Sequence, residues 1–109
     1  MRSFTDGGQS RRGFAPLASD YIDARVLAAA TAERHTIPTG ARYVVFSADA
    51  TFYAKFGDVA VTAAVPAADI TDGTASAVNP EAREIPSGVT HISLIAAAAT
   101  VVTMSFYGE

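Results

Sequence analysis

The chain has 109 residues, half of them hydrophobic and only 17% charged, with a formal net charge of −3 and no cysteine. This length makes one domain, which buries roughly 60 to 70% of the surface its unfolded chain exposes. Disulfides and thiolate metal sites are excluded, the arginines near the start are too few for a nucleic-acid surface, and no apolar run approaches the roughly 18 residues of a membrane span. Soluble domains average about 25% charged residues, so a charge-poor surface here implies apolar area committed to a partner or to further copies of the chain.

Residues 1 to 16 read as an extended arm, and residues 17 to 109 as a single β-sandwich domain. The arm opens MRSFTDGGQSRRGF, in which Arg2, Arg11 and Arg12 face Asp6 alone; it carries +2 and leaves −5 for the remainder. Gly7, Gly8, Gly13 and Pro16 break any periodicity, which predicts an irregular segment that gains order against a neighbour. Phe4 and Phe14 are apolar anchors for that contact, and Arg2, Arg11 and Arg12 offer charge-assisted hydrogen bonds to carboxylates. The arginines are not followed by the 7 to 15 residue apolar segment of a secretory signal, so synthesis in the cytoplasm is expected.

Leu17 to Arg34, LASDYIDARVLAAATAER, carries both a helical spacing of apolar residues and a strand-like end. The expectation is a strand over 24 to 30, preceded by a short helical turn at 17 to 22. Two matching phrases follow, HTIPTGARYVVFSADATFYAKFG at 35 to 57 and EIPSGVTHISLIAAAATVVTMSFYG at 84 to 108. Ile37, Pro38, Thr39 and Gly40 recur 48 residues later as Ile85, Pro86, Ser87 and Gly88. Proline presets φ near −65° and glycine accepts positive φ, so each IP[ST]G predicts a tight reversal between antiparallel strands.

Each phrase is accordingly expected to form a three-stranded meander, with strands near 32 to 37, 41 to 47 and 51 to 56, then near 81 to 85, 89 to 96 and 100 to 107. Alternation puts Phe52, Ala54 and Phe56 on one face and Tyr53 and Lys55 on the other; Val102, Met104 and Phe106 oppose Thr103 and Ser105 in the same way. Two sheets with one apolar face each bury it by packing together, which predicts a small antiparallel β-sandwich of jelly-roll or Greek-key type. The connection GDVAVTAAVPAADITDGTASAVNP, residues 57 to 80, is expected to cross the sandwich after a short strand at 59 to 62 and to offer a contact loop.

No reaction chemistry is legible. His35 and His91 occupy non-equivalent places in the repeat and belong to no metal-binding pattern, and the clustered histidines of cupin-type jelly rolls are missing. Asp69 and Asp72 lack the alternating acidic residues of a calcium loop, and no serine sits in a G-x-S-x-G elbow or a phosphate loop. Neither enzyme activity nor a cofactor, metal, nucleic acid or membrane partner is expected.

Over residues 31 to 107, GARYVVFSADATFYAKF and DGTASAVNPEAREIPSGVTHISLIAAAATVVTMSFY resemble small virion proteins of tailed bacteriophages. The IP-S/T-G turns, the NP before a strand and the closing SFY carry the resemblance. It implies a non-enzymatic β-sandwich of the virion that binds the major capsid protein or another virion protein, often as a trimer, as a decoration or cement protein. Similar proteins occupy the head-tail junction, tail or fibre. A carbohydrate- or ligand-binding module is the alternative from the residues themselves, with Tyr43, Tyr53 and Tyr107 as its candidate aromatic platform.

Overall fold

The computed structural model of the chain describes Met1 and residues 18 to 108. Eight strands build it: β1 Tyr21–Leu27, β2 Glu33–Thr36, β3 Tyr43–Ala48, β4 Tyr53–Gly57, β5 Ala77–Val78, β6 Ala82–Glu84, β7 His91–Ile95 and β8 Thr100–Tyr107. They form two antiparallel four-stranded sheets, sheet 1 in the order β1-β8-β3-β6 and sheet 2 in the order β2-β7-β4-β5. Strands 1 and 8, 2 and 7, 3 and 6, and 4 and 5 lie side by side, as though one long hairpin had been rolled up, with β3·β8 and β4·β7 closing the roll. That is the jelly-roll arrangement of an all-β sandwich.

The period-two pattern explains why these segments are strands. On β8, Val102, Met104 and Phe106 are buried inward while Val101, Thr103 and Ser105 alternate outward. On β7, Ile92 and Leu94 face Phe46 and Val44 of the other sheet within one core cluster. Phe46 bridges the sheets, its ring 5.7 Å from Phe52 and 6.1 Å from Phe56. Each fully buried Leu, Ile or Phe contributes about 1.5 to 3 kcal/mol of transfer free energy, which makes this layer the main stabilising element.

Inside the two phrases the pairing differs from the expected meanders. Consecutive strands alternate between sheets: β2 and β4 belong to sheet 2 and β3 to sheet 1, while β6 and β8 belong to sheet 1 and β7 to sheet 2. The tight turns themselves form as read. Ala41 N–H donates to Pro38 O at 3.1 Å with Gly40 at φ 90°, and Val89 N–H donates to Pro86 O at 3.2 Å with Gly88 at φ 88°. These turns sit inside longer arches, however, and the arches carry Ile37, Ala41, Ile85 and Val89 against the core. A flat hairpin would leave those four side chains at the sheet surface, so bending over the end of the sandwich buries more apolar area.

The halves are nevertheless related. Ile37 N–H donates to Thr90 O at 2.9 Å and Ile85 N–H donates to Arg42 O at 2.7 Å, a reciprocal pair in which each residue is shifted by 48 onto its counterpart. Arg42 N–H then donates to Tyr107 O at 2.7 Å, and Thr90 N–H to Gly57 O at 2.9 Å. The shift thus grows to 50 for the last strand, since 17 residue steps separate Thr90 from Tyr107 and 15 separate Arg42 from Gly57. The two arches are pinned to each other about a pseudo-twofold axis.

Three further expectations are corrected. No helical turn precedes the first strand over residues 18 to 22; Ser19 instead caps the start of β1, donating its hydroxyl to Phe106 O at 2.6 Å and accepting Tyr21 N–H at 3.0 Å. The strand runs over Tyr21–Leu27 in place of 24 to 30 and ends where Ala30, at φ 55°, donates its N–H to Ala96 O at 2.7 Å. Residues 59 to 62 form no strand, since Asp58 turns the chain there by accepting Ala60 N–H on its carboxylate and Val61 N–H on its carbonyl.

Candidate functional site

The expected contact residues Arg2, Phe4, Arg11, Arg12 and Phe14 lie outside the described residues. What the structure does set out is the pair of outer sheet faces, and these differ sharply.

Residues 58 to 76 join β4 to β5 within sheet 2 and run over the outside of that sheet; the expected crossing of the 57 to 80 connection comes at its end, between β5 of sheet 2 and β6 of sheet 1. Three outward polar side chains of the sheet meet it. Arg34 Nε donates to Val61 O at 2.7 Å, Ser93 Oγ accepts Ala63 N–H at 2.8 Å, and Lys55 Nζ donates to Thr74 O at 2.7 Å. Ser93 is 1% exposed and Ala63 2% exposed, although Ser93 points away from the core. The approach is close enough that a Cβ on Gly57 would lie 2.8 Å from Val61 Cβ. Ser76 Oγ, accepting Ala64 N–H at 3.1 Å, and the Asp72 carboxylate, accepting Thr74 N–H at 3.2 Å and Thr74 O–H at 2.6 Å, hold the far end. These Thr74 hydrogen bonds favour the ionised carboxylate and hold Asp72 below its ordinary pKa. Asp72 thus serves its own turn, through both Thr74 hydrogen bonds.

Sheet 1 has no such cover among the described residues. Alternation turns Ile22, Ala24 and Val26 of β1 outward beside Ser105, Thr103 and Val101 of β8. Ile22 is 55% exposed, Val26 73% and Val101 38%, and Val26 and Val101 are direct cross-strand partners. The next strand adds Val45 and Ser47. Among the described residues, charge on this face lies at the rims, with Glu84 on the edge strand β6 and Asp49 beyond β3, where its carboxylate accepts Val101 N–H at 3.1 Å.

Between the sheets, the edge formed by β1 and β2 carries a charged row. Asp23 and Arg25 point inward from β1, with Arg25 Nη2 4.0 Å from Asp23 Oδ2, and Glu33 and His35 point inward from β2. His35 Nε2 lies 3.4 Å from Glu33 Oε1, in ion-pair reach of a protonated ring but without the alignment of a hydrogen bond; it and Arg25 Nε are buried and unpartnered. Burial, and then the Arg25 charge, pull the His35 pKa below its ordinary value, against the opposing pull of Glu33 and Asp23. Inward charges on edge strands block pairing with a further strand, and this row closes the sandwich side by that device.

His91 stands apart on the outside of sheet 2, its ring nitrogens 2.7 Å from Thr90 Oγ1 and 3.4 Å from Thr36 Oγ1. The two histidines share no site, and no group of three metal-binding side chains occurs among the described residues. The three tyrosines do not form a platform either: Tyr43 and Tyr107 pair across β3 and β8 in sheet 1, with Tyr107 5% exposed, while Tyr53 is in sheet 2. Two clefts of about 400 and 440 Å³ open at opposite ends, one beside Asn79 and Pro80 and one between the two IP[ST]G arches. Asn79 in the first spends its side-chain oxygen on Phe52 N–H at 3.0 Å.

Comparison with protein-family models, with curated proteins and with solved structures gave no match. The apolar outer face of β1 could have been found from sequence through YIDARVL alone, since its even residues are apolar or small and its odd residues charged or large, the reverse of a strand with a wet outer face. The competing helical spacing hid that signal.

Proposed function

We propose that this chain is a non-enzymatic structural protein of a tailed-phage virion, made in the host cytoplasm. It binds the capsid shell as a decoration or cement protein, self-associates, and attaches to the major capsid protein or another virion protein partly through the arm bearing Arg2, Phe4, Arg11, Arg12 and Phe14. The observation that carries the reading is the uncharged outer face of sheet 1 on a small jelly roll whose other face is already closed by its own chain. Such a surface suits protein contact and offers no reactive group. The resemblance of the IP[ST]G turns, the NP and the SFY to virion proteins sets the context.

The test is a stoichiometric gel of purified particles carrying either the full chain or a variant lacking residues 2 to 14. Hundreds of copies per particle, lost on truncation while the isolated variant stays folded, is the expected result. About a dozen copies would move the chain to the head-tail junction, and absence from particles would end the virion reading. Full occupancy by the truncated variant would show the arm to be incidental.

A further inference from the structure

We infer that residues 2 to 17 dock on the outer face of sheet 1 of their own chain, across its tyrosine end. Alternation turns Tyr107 outward with Ser105, Thr103 and Val101, and Tyr43 is its cross-strand partner. Tyr107 is nevertheless 5% exposed, while Val101 at the far end of the same strand is 38% exposed. Along β1 the exposure rises the same way, from Ile22 beside Ser105 to Val26 beside Val101. Asp20, Arg42, Tyr43 and Tyr107, which surround the shielded end, all have interaction partners. Both ends of the segment meet there as well: the Met1 amino group lies 3.9 Å from Asp20 Oδ2, and residue 18 stands just before the Ser19 cap of β1. The 16 residues between therefore leave and return at one corner of this face.

Reach, area and charge agree with that occupant. Crossing from β1 to β6 takes three strand spacings, about 14 Å, and 16 residues extend to about 53 Å, enough to reach Glu84 and come back. Strands of 7, 8, 6 and 3 residues make a face of roughly 380 Å². That is about half of the roughly 800 Å² per partner in a standard contact between separate molecules. A tethered segment needs less, because it meets the face at an effective concentration near millimolar and loses little translational freedom. Residues 2 to 17 carry +2, from Arg2, Arg11 and Arg12 against Asp6. The face is edged by Asp20, Glu84 and Asp49, with Arg42 as a countercharge at the tyrosine end. Phe4 and Phe14 supply apolar side chains for Ile22, Val45 and the tyrosine rings. A segment already seated gives up less conformational entropy when a partner binds it, so this docking deepens the attachment through the arm in the reading above and holds whatever that partner is.

The chain has no cysteine, so Ser10→Cys gives the full chain a single site for a nitroxide label, read by the paramagnetic broadening of backbone amide signals. The expected result is broadening strongest at Tyr43, Glu84 and Tyr107 and weakest at Val59 and Ile70 on the cover of sheet 2. A mixture of labelled chains with separate isotope-enriched, unlabelled chains should keep its signals sharp. Phe4→Ser combined with Phe14→Ser should reduce the broadening at Tyr43 and Glu84 by about half or more, as should Arg2, Arg11 and Arg12 all changed to glutamate, with unchanged circular dichroism. Absent broadening, equal broadening of both sheets, or indifference to both sets of substitutions overturns the inference. So does broadening that persists in the mixed sample, since the face would then hold the arm of another copy. The measurement is made on the isolated chain, whereas the reading above is decided by particle occupancy, so either can fail without the other.

Discussion

Shifting β2 to β4 onto β6 to β8 superposes the arches, the buried positions and the reciprocal hydrogen bonds, yet Ser93 and Val45, equivalent in that superposition, meet opposite fates. Ser93 is sealed beneath residues 58 to 76, whereas Val45 is half-buried on an open sheet. The difference lies outside the repeated phrases: residues 58 to 76 cover sheet 2, and no described segment covers sheet 1 in that way. Local sequence sets the arch; a non-repeated neighbour decides whether the face above it is finished.

The core is where the halves should agree most and respond most. Phe46 and Leu94 are equivalent at the shift of 48, at 6% and 0% exposure, and each contacts both sheets' core. Phe46→Ala should cost about 3 to 5 kcal/mol and Leu94→Ala about 2 to 5 kcal/mol in urea denaturation. A loss under about 1 kcal/mol at either position would mean that the halves do not share one cooperative core.

Ser93→Ala separates the outer faces. It orphans the buried Ala63 N–H and should cost about 1 to 3 kcal/mol, with faster amide exchange over 58 to 65. Val45→Thr on the open face should stay within about 0.5 kcal/mol. Equal effects would erase the distinction between a covered and an open sheet.

The arches should respond alike. Gly40 and Gly88 sit at φ 90° and 88° with nothing within 4 Å of an added Cβ, so alanine there brings backbone strain and no clash. Gly40→Ala and Gly88→Ala should each cost about 1 to 2 kcal/mol, and thermal melts should place them within about 0.5 kcal/mol of one another.

The smallest effect belongs to one half only. His35 corresponds at the shift of 48 to Arg83, so the second half has no histidine at this place. Because the folded-state pKa of His35 is lowered, the unfolded chain takes up the proton first as pH falls. Stability from the neutral ring is therefore full above the unfolded pKa near 6.5 and is lost as pH falls through the lower folded value. The wild-type melting temperature should drop between pH 7 and 5 by more than that of His35→Gln; parallel curves would show that His35 does not couple to folding.

The alternation of Val102, Met104 and Phe106 with Thr103 and Ser105 defined β8 to its end residues, and Pro38-Thr39-Gly40 and Pro86-Ser87-Gly88 defined the turns, because both signals are local: side-chain period and permitted φ. The same locality misled over pairing. A tight turn says that the chain reverses, not which strand receives it, and only the burial of Ile37 and Ile85 between the sheets made each turn an arch and each meander a crossing. Tertiary structure also decided that the 58 to 76 segment stays on sheet 2, through hydrogen bonds to Arg34, Lys55 and Ser93 drawn from three different strands. It likewise decided that Asp23, Arg25, Glu33 and His35 gather along one edge. Those contacts span long stretches of chain, and no pattern within a single strand encodes them; they follow from which surfaces a rolled hairpin brings together.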